Sequence, residues 1–105
     1  MNWMYLVLAG IFEIGWPLGL KLSQTMPSKV WGIILAVISM FLSGLFLWIA
    51  QKAIPIGTAY TVWTGIGAVG TLLIGIVFFG DSASMGRLLS ALLIIVGIVG
   101  IKLAH

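Results

Sequence analysis

One carboxyl group offers this chain its chemistry. Glu13 is the only charged side chain between Trp3 and Leu20, in the middle of the apolar stretch AGIFEIGWPLGL at residues 9–20. A charged group at the centre of a hydrocarbon-length segment costs roughly 2.5–3.5 kcal/mol on insertion scales, so its default reading is a binding site. Residues three and four positions from it lie on the same helix face. These are Ala9, Gly10, Trp16 and Pro17. Ala9 and Gly10 are small and open space beside the carboxyl. Trp16 brings an indole N–H donor and an aromatic wall. Pro17 has no N–H for the carbonyl of Glu13 and clashes with it, which predicts a kink and a free backbone acceptor at the site.

Two further segments offer partners. Residues 30–51 present Ser39 and Ser43, and residues 56–79 present Tyr60, Trp63, Thr64 and Gly67 at helical spacing. Together they supply hydroxyl and indole donors for a carboxylate, and aromatic faces that attract cations. Desolvation opposes ionisation of Glu13, while donors to the ionised form favour it. A carboxyl balanced in this way can exchange its proton for an organic cation, one occupant at a time.

The elements that hold these residues read as four membrane spans. The chain has 105 residues, of which 62% are hydrophobic and 7% charged. Soluble domains carry about 25% charged residues, so lipid is the expected solvent. At about 20 residues per crossing, the apolar runs give spans at about 3–21, 30–51, 56–79 and 85–103 in a single domain. The turns are expected at Ser23–Lys29, where Pro27 and Ser28 suit a helix start, near Lys52–Pro55, and at Gly80–Ser82. The first span lacks a basic leader and is interrupted by Glu13, so it is expected to be mature structure rather than a signal peptide.

Composition also excludes function classes. There is no cysteine, hence no disulfide framework and no thiolate metal site. There is no second buried acid, no nucleophile–base pair and no zinc-ligand cluster. No enzyme activity, cofactor or metal is therefore expected. The five basic residues are dispersed, unlike a nucleic-acid surface, and read as membrane-edge anchors. Residues 65–70, GIGAVG, fit G-x-G-x-x-G but lie inside an apolar span. The dinucleotide fingerprint needs a strand and a βαβ unit around it. Gly65 and Gly67 are better read as a weak point at which the third helix bends. Gly97 and Gly100 give the fourth segment a close-packing face, and its lack of aromatic residues and buried charge marks it as an assembly helix.

Charge distribution bears on assembly. With four spans, Lys52 and Lys102 lie on one side, and Lys21, Lys29 and Arg87 on the other. Three against two is a weak positive-inside bias, compatible with insertion in both orientations. Two antiparallel copies would then supply the inverted symmetry that alternating access needs.

The chain resembles the small multidrug resistance transporters. The resemblance rests on four short spans with a central glutamate in the first, and on PIGTAYTVWTGIGAVG at residues 55–70. WTGIG at 63–67, together with Trp16 three residues after Glu13, resembles the guanidinium-exporter branch. The resemblance implies an all-α membrane protein of four transmembrane helices per subunit, forming an antiparallel, dual-topology homodimer in the bacterial inner membrane. It implies export of small organic cations in exchange for protons, both bound at Glu13. It also implies that Trp16 and Ser43 bond the carboxylate, Tyr60 gates and binds, and Trp63 lines the pocket. Gly10 would make room for substrate, Gly65 and Gly67 would let the third helix bend, and Gly97 and Gly100 would pack the dimer. Pro17 departs from the pattern, which has a small residue there. Guanidinium is a chemically apt substrate because it donates two parallel hydrogen bonds to one carboxylate. The alternatives are a broader exporter of quaternary ammonium and other lipophilic cations, a rotor-type proteolipid, and an accessory membrane subunit.

Overall fold

A computed structural model describes residues 2–25 and 29–104. Four helices account for nearly all of them: α1 (Asn2–Thr25), α2 (Lys29–Ala50), α3 (Ile56–Phe78) and α4 (Met85–Ala104). Each has 20–24 residues and is long and apolar enough to cross a membrane. These helices begin and end within a few residues of the apolar runs read from the sequence. The largest difference is at the end of α1, which continues through Ser23, Gln24 and Thr25 where a turn is expected. The Ser23 hydroxyl donates to the Leu20 carbonyl at 2.6 Å and Thr25 to that of Lys21 at 3.2 Å, so both polar side chains bond back onto the helix rather than leading the chain into a turn. The expected helix start at Pro27–Ser28 lies outside the described residues, as does His105.

The helices form a flattened layer with extents of 45 × 34 × 17 Å. In spatial order α2 packs on α1, α1 on α3, and α3 on α4, with a minor contact between α2 and α3. The α1–α2 seam is built from small residues. A Cβ on Gly19 would meet the Ala36 amide and the Gly32 carbonyl at 2.6 Å, and one on Gly32 would meet the Ser23 amide at 2.5 Å and the Gly19 carbonyl at 2.6 Å. Backbones this close are what small-residue spacing provides in lipid, where packing replaces the hydrophobic drive. At the other end, Leu6, Ala50, Ile54, Ala59 and Val62 form a buried cluster that ties α1, the α2–α3 turn and α3 together.

Trp3 and Tyr5 both pack against this cluster. Tyr5 stacks on Phe46 at 5.9 Å, and Phe12 stacks on Phe46 at 5.7 Å. Between the last two helices, Gly80 adopts φ 70°, a conformation glycine takes without steric penalty. The Ser84 hydroxyl then accepts the Arg87 amide at 3.4 Å, a serine cap at the start of α4. Ala91 is the one buried residue of α4; the rest of that helix packs on α3 or is exposed.

Candidate functional site

Helix α1 runs unbroken through Pro17, and Glu13 lies partly buried between α1, α2 and α3. The Trp16 indole Nε1–H donates to Glu13 Oε1 at 2.8 Å, one turn along the same helix. The i, i+3 spacing makes this contact local, so it forms with little further ordering of the backbone.

Ser43 comes from α2 and is 1% exposed. Its Oγ accepts a hydrogen bond from Trp63 Nε1 at 2.8 Å. It lies 2.9 Å from the carbonyl of Ala9 and 3.4 Å from Glu13 Oε1. A hydroxyl has one proton. The shorter contact takes it, so Ser43 donates to Ala9 and keeps only a long contact to the carboxylate. A rotation of the hydroxyl redirects that hydrogen bond to Glu13. Ser43 thereby joins three helices: α1 through Ala9 and Glu13, its own α2, and α3 through Trp63.

Close approach of α3 to Glu13 depends on Gly67. A Cβ there would stand 2.5 Å from Glu13 Cγ, so no residue with a side chain lets Glu13 keep its position across α3. Gly67 and Glu13 border a cavity of about 310 Å³, completed by Pro17, Thr64, Ala68 and Thr71. Its wall is mostly small and apolar, with two threonine hydroxyls and one carboxylate as acceptors.

The other expected site residues fall as follows. Tyr60 is 56% exposed and packs on Trp63 at 5.3 Å between ring centroids, one residue removed from the Ser43 network. Gly10 is buried, and Ile66 fills the space over it: a Cβ on Gly10 would stand 2.7 Å from Ile66 Cβ. Its smallness serves helix packing within this chain. Ser39 lies against Gly15 on the α1–α2 seam, away from the carboxylate. Gly65 faces Ile98 and Ile94 of α4, and α3 runs as one continuous helix through both Gly65 and Gly67. Gly97 and Gly100 meet no atom within 4 Å of a would-be Cβ, so they are open in the single chain.

Two contributors escape sequence reasoning. The Ala9 carbonyl is a backbone group and has no residue-type signature. Thr71 lines the cavity one turn beyond Gly67; its seven-residue spacing from Thr64 is the signal that identifies it. Among the described residues, no group of three or more His, Cys, Asp and Glu is placed to hold a metal ion.

The family model for the Small Multidrug Resistance protein matches residues 1–103. A protein of Yersinia pseudotuberculosis named guanidinium exporter is 50% identical over 104 residues, covering 99% of both chains. Proteins of the same name from Proteus vulgaris and Escherichia coli strain K12 are each 46% identical over 104 residues, covering 99% of this chain and 99% and 98% of theirs.

Proposed function

The chain belongs to the small multidrug resistance family, a multi-pass membrane family, and on that premise we propose that it exports guanidinium or small substituted guanidinium ions in exchange for protons. Proton and cation compete for Glu13. Two copies act together as an antiparallel homodimer in the bacterial inner membrane, each supplying one Glu13. Tyr60 and Trp63 line the substrate path, Gly65 and Gly67 let α3 bend between its two access states, and Gly97 and Gly100 pack the two copies together.

The observation that carries this reading is the Trp16–Glu13 bond at 2.8 Å. A fixed donor orients the carboxylate plane, and an oriented carboxylate suits a planar cation that donates two parallel hydrogen bonds. A quaternary ammonium donates none and binds through charge and aromatic faces alone. The family membership, and relatives named as exporters, favour a transporter over a rotor-type proteolipid or an accessory subunit.

The mechanism follows from occupancy. With the carboxyl protonated, the site holds no charge for a cation to pair with. Loss of that proton to one side of the membrane creates the anion that guanidinium binds, and rebinding of a proton from the other side displaces it. Counterflow of labelled guanidinium into proteoliposomes tests the reading. Uptake driven by internal guanidinium and by an opposed pH gradient, with little uptake of tetraethylammonium, is the expected result. Preferential uptake of tetraethylammonium would assign the chain to broad multidrug export instead.

A further inference from the structure

The cavity at Glu13 continues beyond it. A second cavity of about 250 Å³ adjoins the first and shares Pro17 and Thr71 as walls. At its far end stand Lys21 and Asp81. On α1 the positions Glu13, Pro17 and Lys21 follow at four-residue steps, so they form one stripe that runs about 12 Å along the helix axis. On α3, Thr64 and Thr71 form the facing stripe. A groove between α1 and α3 thus leads from the Glu13 carboxylate to a second carboxylate at the end of the helices, with Thr71 lining both cavities between them.

The position of Asp81 is specific. Its backbone N–H donates to the Gly75 carbonyl at 3.0 Å, and that carbonyl also accepts the Phe79 amide at 3.1 Å. Gly80 at φ 70° turns the chain back to make this possible. The carboxylate then lies against Gly75, where a Cβ would collide with Asp81 Oδ2. The acid is folded over the last turn of α3 at the groove mouth. The C-terminus of a helix carries partial negative charge and favours cations, not anions. A carboxylate held there is therefore a place where a cation gains more than it would from the acid alone. Lys21, which lines the same cavity on the α1 side, is such a cation.

We propose that Asp81 is an outer binding residue for guanidinium, which captures the cation at the groove mouth and passes it along the Pro17–Thr71 groove to Glu13, with Lys21 as the internal cation that competes for the same carboxylate. This rests on the guanidinium reading above. It adds a second cation position per chain and gives Lys21 a role opposite in sign to that of Asp81.

The test is the initial rate of labelled guanidinium counterflow in proteoliposomes of the full chain, at low and high ionic strength. Asp81→Asn should raise KM about three- to tenfold at low salt with kcat little changed, and the difference should shrink as salt screens the capture step. It leaves the Lys and Arg count unaltered, so insertion orientation is undisturbed. Lys21→Gln should lower KM. Opposite KM shifts in the two variants support the proposal. An unchanged KM in Asp81→Asn overturns it, and so does a loss of kcat in both variants at constant KM, the mark of a purely structural ion pair. If the parent protein carries no guanidinium at all, the functional reading itself fails, an outcome separate from either variant result.

Discussion

Trp16 Nε1 and Glu13 Oε1 are joined at 2.8 Å across a single turn of α1. The pair fixes the plane of the site's one carboxylate from within its own helix, independently of how the other helices move. A hydrogen bond to a charged group contributes about 1.5–3 kcal/mol. Trp16→Phe keeps the ring and removes the donor, so guanidinium affinity at fixed pH should fall about tenfold or more. Isothermal titration in detergent measures it, and an unchanged affinity would show that the indole orients nothing.

Ser43 makes a different prediction. Its hydroxyl accepts from Trp63 and donates to Ala9, so Ser43→Ala leaves the Trp63 N–H without its partner in a part-buried setting. The cost should be about 1–3 kcal/mol, read as a lowered thermal midpoint in detergent. Trp63→Phe removes the other half of the pair. The double variant should be less destabilised than the sum of the two singles, with a coupling of about 1 kcal/mol. Additive losses would indicate that the two residues do not act through one bond.

Gly67 sets the approach of α3 to the carboxylate. Gly67→Ala puts a methyl 2.5 Å from Glu13 Cγ and has to push the side chain aside. Transport should fall severely while the helices still assemble. Gly44→Ala is the control, since a Cβ at Gly44 meets nothing within 4 Å. Circular dichroism and counterflow on both variants separate the two effects: helix content should be retained in each, and activity lost only in the first.

Helix α4 carries the prediction about assembly. Its main packing partner is α3, with Lys102 reaching over the Trp3 ring of α1 at one end; Ala91 is its one buried residue, and Gly97 and Gly100 face open space. Gly97→Val and Gly100→Val should leave the single chain's fold intact and weaken pairing of copies, because a small-residue face permits close helix approach. Single-molecule photobleaching in lipid counts copies directly. A dimer fraction unaffected by both substitutions would remove α4 from the interface.

Much of this arrangement is legible in the sequence, for identifiable reasons. The spans follow from length and apolarity, because a helix in lipid must satisfy its backbone internally. Trp16 is found because a contact at i+3 is fixed by helix geometry alone. Ser43 is found, but its main acceptor is not, since the Ala9 carbonyl depends on the depth at which α2 docks on α1. The space over Gly10 is filled by Ile66 for the same kind of reason: which neighbour occupies a small residue's face is set by tertiary register. Asp81 reads as an ordinary loop residue until the turn at Gly80 is seen to fold it back over Gly75. Ser39 and Ser43 differ by one helical turn, and only packing decides that Ser43 comes to 3.4 Å from the carboxylate while Ser39 meets Gly15.

Mutual exclusion of proton and guanidinium at Glu13 is tested most directly by proton release from the purified protein. Guanidinium is added in weakly buffered detergent to the parent and, beside it, to Glu13→Gln. Guanidinium should release protons from the parent, with apparent affinity weakening as pH falls because protons then occupy more of the sites, and it should release none from Glu13→Gln. Absence of release from the folded parent across the pH range of about 6–9, or equal release from Glu13→Gln, would contradict exchange at this carboxylate.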